Sequence, residues 1–233
     1  MPTAPEAAAP DTASVDLRLL RLLQLASPAL PVGAYAYSHG LEQVVAAGRV
    51  HDAASCRHWL DGLLRRGIGR LDLPVLHRLQ AALAADKPAA ARAWDHWLLA
   101  ARESAELQAE DRALGGALRR LLPTLEVPVE LLPAAPSQAF ALAVAGQHFG
   151  IAPHRLCLAY AWSWLENQVQ AAVKLVPLGQ SQGQRLLFEL AGTLPALARA
   201  AAACVDADIG GGVPALALAS ARHETQYVRL FRS

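Results

Sequence analysis

Along most of the chain, apolar residues return every three or four positions, the period of an α-helix packed on one face. The fullest run is Ala159–Leu175. Tyr160, Trp164, Gln168, Ala171 and Leu175 fall on one face, and Trp162, Leu165 and Val169 on a neighbouring one. Only Glu166 and Lys174 carry charge, so the pattern predicts a helix buried on most sides. Pro177, Gly179 and Gly183 then stop the periodicity at a polar, Gln-rich corner ending near Gln184.

The same reading divides the rest of the chain. Residues 1–13 are rich in Ala, Pro and Thr and are expected to be disordered. Ser14 or Asp16 caps a first helix to Ala26. Pro28, Pro31 and Gly33 make an ordered loop carrying Tyr35 and Tyr37. A second helix runs from Ser38 to Ala47, with Ser38 as cap, Gly48 as stop and Glu42 near its positive end. Asp52 caps a third helix to Arg66, and Pro74 sits in the first turn of a fourth, to Ala85. Ala89–Leu122 reads as helical throughout, with a kink or close crossing at Gly115–Gly116. Four prolines mark a connection over 122–137. Ser137 caps a helix to Phe149, Pro153 opens the central helix, and a further helix spans Gln182–Cys204 with a bend at Pro195. A Gly-rich stretch around 205–214 reads as a hinge, and Pro214 opens the last helix. Hairpin dipeptides between alternating apolar runs are missing. The expected fold is all-α: one domain over 14–233, about eight to ten helices, ending in a flexible tail at 222–233.

Composition narrows the classes. Hydrophobic residues are 54% of the 233 and charged residues 18%, so a large core is available and apolar surface is left for a partner to cover. With 21 basic and 20 acidic residues the net charge is +1, without the basic stripe of a nucleic-acid binder. Cys56, Cys157 and Cys204 are odd in number and lack CxxC spacing, which favours reduced thiols in a cytosolic protein. The N-terminus lacks a basic region followed by an apolar core, so no signal peptide is expected. The longest stretch free of Asp, Glu, Lys and Arg, Leu131–His154, holds three prolines and is a poor membrane span.

Catalytic motifs fall short. His223 and Glu224 begin an HExx pattern, but position 227 is Tyr, where a zinc-binding helix needs a second His. Gly210–Gly212 are followed by Val213 and Pro214, with no lysine for a phosphate. The eight His are scattered and fix no ligand set. A transient nickel contact stays open, since imidazole suits that metal. Glu166 and Lys174 either meet partners on neighbouring helices or, for Lys174, project beside the Gln-rich corner. The segment from Arg222 combines Arg222, Arg229 and Arg232 with Tyr227, Val228, Leu230 and Phe231, the residue types that anchor interfaces. The alternatives are a plain terminal helix packed on its own domain and a tail that orders on binding and serves recognition more than folding; on the tail reading, deleting Tyr227–Ser233 leaves stability nearly unchanged.

Three blocks carry a family resemblance. LENQVQAAVKLVPLGQSQGQ, the N-terminal QLASPALPVGAYAYSHGLE from Gln24 to Glu42, and HETQYVRLFRS from His223 to Ser233 resemble the UreF family of urease accessory proteins. The likeness spans the chain from about Leu17, and the middle third matches less closely. It implies a non-enzymatic homodimeric scaffold in the cytoplasm that binds UreD (also called UreH) and then the GTPase UreG, and docks on apo-urease during GTP-dependent nickel insertion. Nickel and GTP would be handled by the partners, with no cofactor held stably here. The candidate partner-binding residues are Tyr35, Ser38, Glu42, Lys174, Gln180, Gln184, Tyr227, Arg229, Phe231 and Arg232. A helical metal-dependent enzyme and a membrane-surface helical protein are the alternatives.

Overall fold

The structure, a computed structural model, describes residues 12–233. The segment expected to be disordered therefore lies outside the described residues, except for its last two positions, which already belong to α1 (Thr12–Ala26). Ser14 and Asp16 are thus inside the helix and do not cap it.

The all-α expectation holds: among the described residues there is no strand. After α1 come α2 (Leu41–Ala46), α3 (Ala53–Leu63), α4 (Asp72–Ala84), α5 (Pro88–Ala100) and α6 (Ala105–Leu121). The second half holds α7 (Gln138–His148), α8 (Pro153–Leu175), α9 (Gln180–Ala191), α10 (Leu194–Ala203) and α11 (Pro214–His223). Local chemistry sets many of these ends. The Asp52 carboxylate accepts the Ser55 N–H at 2.8 Å, and the Ser137 hydroxyl accepts that of Phe140 at 3.1 Å. Gly150 stops α7 at φ 63°, a left-handed angle that glycine adopts without a Cβ penalty.

The central helix α8 packs against α1, α4, α9 and α10, while α4 also lies on α5 and α7. Leu156, Leu165, Val169 and Ala172 of α8 are buried. Trp162 and Gln170 reach the surface, so its burial is broad but not complete.

Two helix boundaries need correction, and Gly115 settles as a close approach and not a kink. The run Ala89–Leu122 is two helices, because the chain leaves α5 after Ala100 and restarts when Ser104 accepts the Leu107 N–H at 3.1 Å. Gly115 marks a close approach inside a continuous α6. A Cβ there would stand 2.1 Å from the Pro136 carbonyl oxygen, on the segment entering α7. The bend expected at Pro195 is a full break at Gly192–Thr193, with Pro195 in the first turn of α10. By length and composition alone, Gln180–Ala203 would cross a membrane. That break divides it, and Leu186, Leu187, Leu190, Leu194 and Ala198 turn into the core.

The stretch read as a hinge is tied down at several points. The Gly210 N–H donates to the Arg70 carbonyl at 2.9 Å, Asp206 accepts from Arg78 at 2.7 Å, and Ile209 is buried.

Candidate functional site

The break between α5 and α6 sends Arg102 inward instead of along a helix surface. Its Nη2 donates to Asp72 Oδ1 at 2.5 Å and to Asp111 Oδ2 at 2.7 Å, and its Nε donates to Asp111 Oδ2 at 2.9 Å. Tyr160 of α8 donates its hydroxyl to Asp72 Oδ1 at 2.8 Å. Asp111 Oδ1 accepts the Gln138 N–H at 2.8 Å, at the start of α7. One guanidinium thus ties together α4, α6 and, through their carboxylates, α7 and α8. The side chains are 9% exposed or less for Arg102, Asp72 and Asp111.

Burial sets the electrostatics. It pushes the Asp72 carboxyl up, but the charge and hydrogen bonds of Arg102 and the Tyr160 hydroxyl outweigh it and hold Asp72 below the ordinary carboxylate value. At Asp111 burial wins, helped by the Asp72 charge, and the carboxyl lies above its ordinary value despite Arg102. Arg102 resists its own desolvation because both carboxylates hold the proton on, and burial beside Asp72 keeps Tyr160 protonated.

Above this quartet lies a cleft of about 120 Å³, walled by the loop Pro28–Tyr35, Leu107 and Leu114 of α6, and Trp164 and Asn167 of α8. His39 stands at its edge, with φ 52°, its ring 5.7 Å from that of Trp164 and its Nδ1 3.3 Å from Glu110 Oε1. Tyr37 offers its carbonyl to the Asn167 side-chain amide at 3.1 Å. The N-terminal block and the central helix therefore meet here.

The third block joins α2 and α6 beside this region, through Glu42, Glu106 and Glu110. His223, fully buried at the end of α11, places Nε2 3.2 Å from Glu42 Oε2 and Nδ1 2.8 Å from Glu106 Oε2. The Glu42 carboxylate also accepts the N–H groups of Leu230 at 2.7 Å and Phe231 at 2.9 Å. Arg229 donates to Glu106 Oε1 at 3.0 Å. The Ser233 main-chain oxygen accepts from the N–H and hydroxyl of Ser38, at 3.0 and 2.5 Å, and the Ser233 hydroxyl donates to Glu110 at 2.6 Å.

The expectation that the tail makes few core contacts is therefore corrected. Phe231 and Ser233 are buried, and Lys174 stands 5.7 Å over the Phe231 ring. The cause is Glu42, a buried carboxylate that needs donors and takes them from the tail's backbone.

The ten candidate residues consequently separate. Ser38, Glu42 and Phe231 are buried and hold the tail in place. Tyr35, Lys174, Gln180, Gln184, Tyr227, Arg229 and Arg232 are exposed. Tyr35 sits at the rim of the cleft, Gln180 and Gln184 on α9, and the last three on the tail. Sequence reasoning missed Arg102, Asp72, Asp111, Tyr160, His39, Glu106 and Glu110. The one hint was the charged run AARESAELQAEDRALGG, which holds four of them.

The chemistry on offer is that of binding. Burial pushes the Cys56 and Cys157 thiols up to about 11 and about 12, which leaves them unreactive. Among the described residues, no group of three or more His, Cys, Asp or Glu is placed to hold a metal ion.

Comparison with known proteins gives a consistent result. The family model described as UreF matches residues 50–191. The urease accessory protein UreF of Alkalilimnicola ehrlichii is 49% identical over 219 residues, covering 91% of this chain and 95% of that protein. The protein of the same name from Chromohalobacter salexigens is 47% identical over 219 residues, covering 93% and 95%. That from Pseudomonas putida is 47% identical over 226 residues, covering 94% and 99%.

Proposed function

The chain belongs to the UreF family of urease accessory proteins, a family of accessory factors and not of enzymes, and from that premise we propose that it is a scaffold for delivering nickel to urease. In this reading it binds UreD (or UreH) and then the GTPase UreG, and the assembly docks on apo-urease in the cytoplasm. GTP is hydrolysed on UreG and nickel is cargo that passes to urease, so neither is a resident group of this chain. A twofold pair of the protein is the working unit.

The observation that carries the reading is the anchored tail. Tyr227, Val228 and Leu230 stand 101%, 73% and 66% exposed, yet the residues around them are fixed by Glu42, Glu106 and Ser38. Apolar anchors held in place lose little freedom when a partner closes over them. Arg232, Lys174 and the glutamines of α9 supply exposed polar groups for the rim of such an interface.

Co-purification tests this. The wild-type chain is expected to retain UreD and UreG from a co-expressing cell and to support urease activation. The double variant Tyr227→Ala/Leu230→Ala is expected to fold normally, lose capture and leave urease inactive. Full capture and activation by that variant would put the interface elsewhere. Light scattering that finds only monomer at micromolar concentration would remove the twofold pair.

A further inference from the structure

The buried His223 touches a carboxylate through each of its two ring nitrogens, Glu42 through Nε2 at 3.2 Å and Glu106 through Nδ1 at 2.8 Å. Neutral imidazole has one N–H and one lone pair, so it can donate to only one of them. Both contacts are attractive only when the ring carries two protons. We propose that His223 is a proton-dependent latch for the tail: protonated, it holds Glu42 where Leu230 and Phe231 need it, and neutral, it lets them go.

The chain of contacts gives the sequence of events. Glu42 Oε2 is shared by the His223 ring and the Phe231 N–H, at 3.2 and 2.9 Å, while Oε1 takes the Leu230 N–H at 2.7 Å. Glu106 Oε2 faces the ring, and Oε1 accepts from Arg229 at 3.0 Å. Loss of the second proton turns a lone pair towards one buried carboxylate oxygen. That carboxylate must move or find water, because a buried charge without a donor is costly. Movement of Glu42 frees two consecutive tail amides, and movement of Glu106 frees Arg229. The tail is held while the ring carries both protons and released when it loses one.

Other groups bear on the tail and must be separated from this effect. The charged groups facing the ring are Glu42 from α2 and Glu106 from α6, with Arg229 beyond Glu106. On the near side of α11, Ser220 bonds Ser104 between hydroxyls at 2.6 Å. A second histidine, His39, pairs with Glu110, which receives the Ser233 hydroxyl, and Lys174 lies over Phe231. The inference concerns the tail's own conformation and stands independently of which partner the tail meets.

The test uses the full chain labelled with ¹⁵N at phenylalanine amides and, separately, at histidine rings. In a series of samples of increasing pH, the Phe231 amide is expected to pass from a carboxylate-bonded to a free shift. The His223 ring is expected to lose its second proton over the same interval. In His223→Gln the Phe231 signal should no longer follow pH, whereas in His39→Gln it should follow pH as in the wild type. A Phe231 amide that ignores pH in the wild type would overturn the proposal, as would a titration that survives in His223→Gln or vanishes in His39→Gln. If His223→Gln does not fold, the wild-type ring signal decides: two N–H groups with the tail bound support the latch, and one refutes it.

Discussion

Arg102 and His223 occupy the same kind of place. Each is a buried basic side chain between two carboxylates drawn from different helices, Asp72 and Asp111 for one, Glu42 and Glu106 for the other. They differ in what can happen next. A guanidinium stays charged at any ordinary pH and makes forked contacts, so the Arg102 site fastens α4, α6, α7 and α8 permanently. An imidazole can give up its charge, and the carboxylates around it hold only a short tail segment. The contrast separates a fastening that belongs to the core from one that belongs to a working surface.

The largest effect is expected where the permanent cation is removed. Arg102→Met leaves two buried carboxylates without their cation, with only the Tyr160 hydroxyl and the Gln138 N–H still donating to them, and should cost about 3–5 kcal/mol in urea unfolding. A loss near zero would mean that water already shares the charge of Asp72 and Asp111.

Next comes Phe231→Ala, which empties a buried position and should lower stability by about 2–4 kcal/mol. From the sequence, this segment was expected to serve recognition more than folding. Measuring unfolding and partner capture on one sample distinguishes the two.

A finer comparison lies within the Arg102 site. Asp72 sits below its ordinary value of 3.8, so the stability it supplies is present above that pH and lost as pH falls through its lower folded value. Asp111 is shifted upward, so its ionised form is disfavoured by the fold and works against stability at neutral pH. Asp72→Asn should therefore cost about 2 kcal/mol at pH 7, and Asp111→Asn less than about 1 kcal/mol, since the amide mimics a protonated acid. Equal losses would show that the two carboxylates share the cation evenly.

Smallest of all is Tyr227→Ala. The side chain is fully exposed, so its unfolding midpoint should stay within about 0.5 kcal/mol of wild type. Its effect should appear only when a partner is added.

What the sequence made legible follows from which interactions are local. Caps and prolines located the starts of α3, α7, α8 and α11 closely, since Asp52, Ser137, Pro153 and Pro214 act on their own turns. The break at Arg102–Ser104 was hidden because the residues on either side keep a helical pattern, while the partner of Arg102 on α4, Asp72, lies 30 residues earlier. Tyr160 read correctly as a core residue, but its hydroxyl partner Asp72 lies 88 residues earlier. The tail was misjudged for the same reason. HETQYVRLFRS carries interface anchors, and no local feature shows that Glu42, 188 residues before Leu230, collects its amides. His223 had been noticed only as half of a failed metal motif.

The tail is part of the folded body and at the same time carries the exposed anchors. Urea unfolding of the chain truncated before Tyr227 tests that directly. Removing Phe231, Ser233 and the donors to Glu42 should lower stability by about 3 kcal/mol, with most of the helical signal retained before the transition. An unfolding midpoint equal to that of the full chain would contradict the account and return the tail to the status of an appendage.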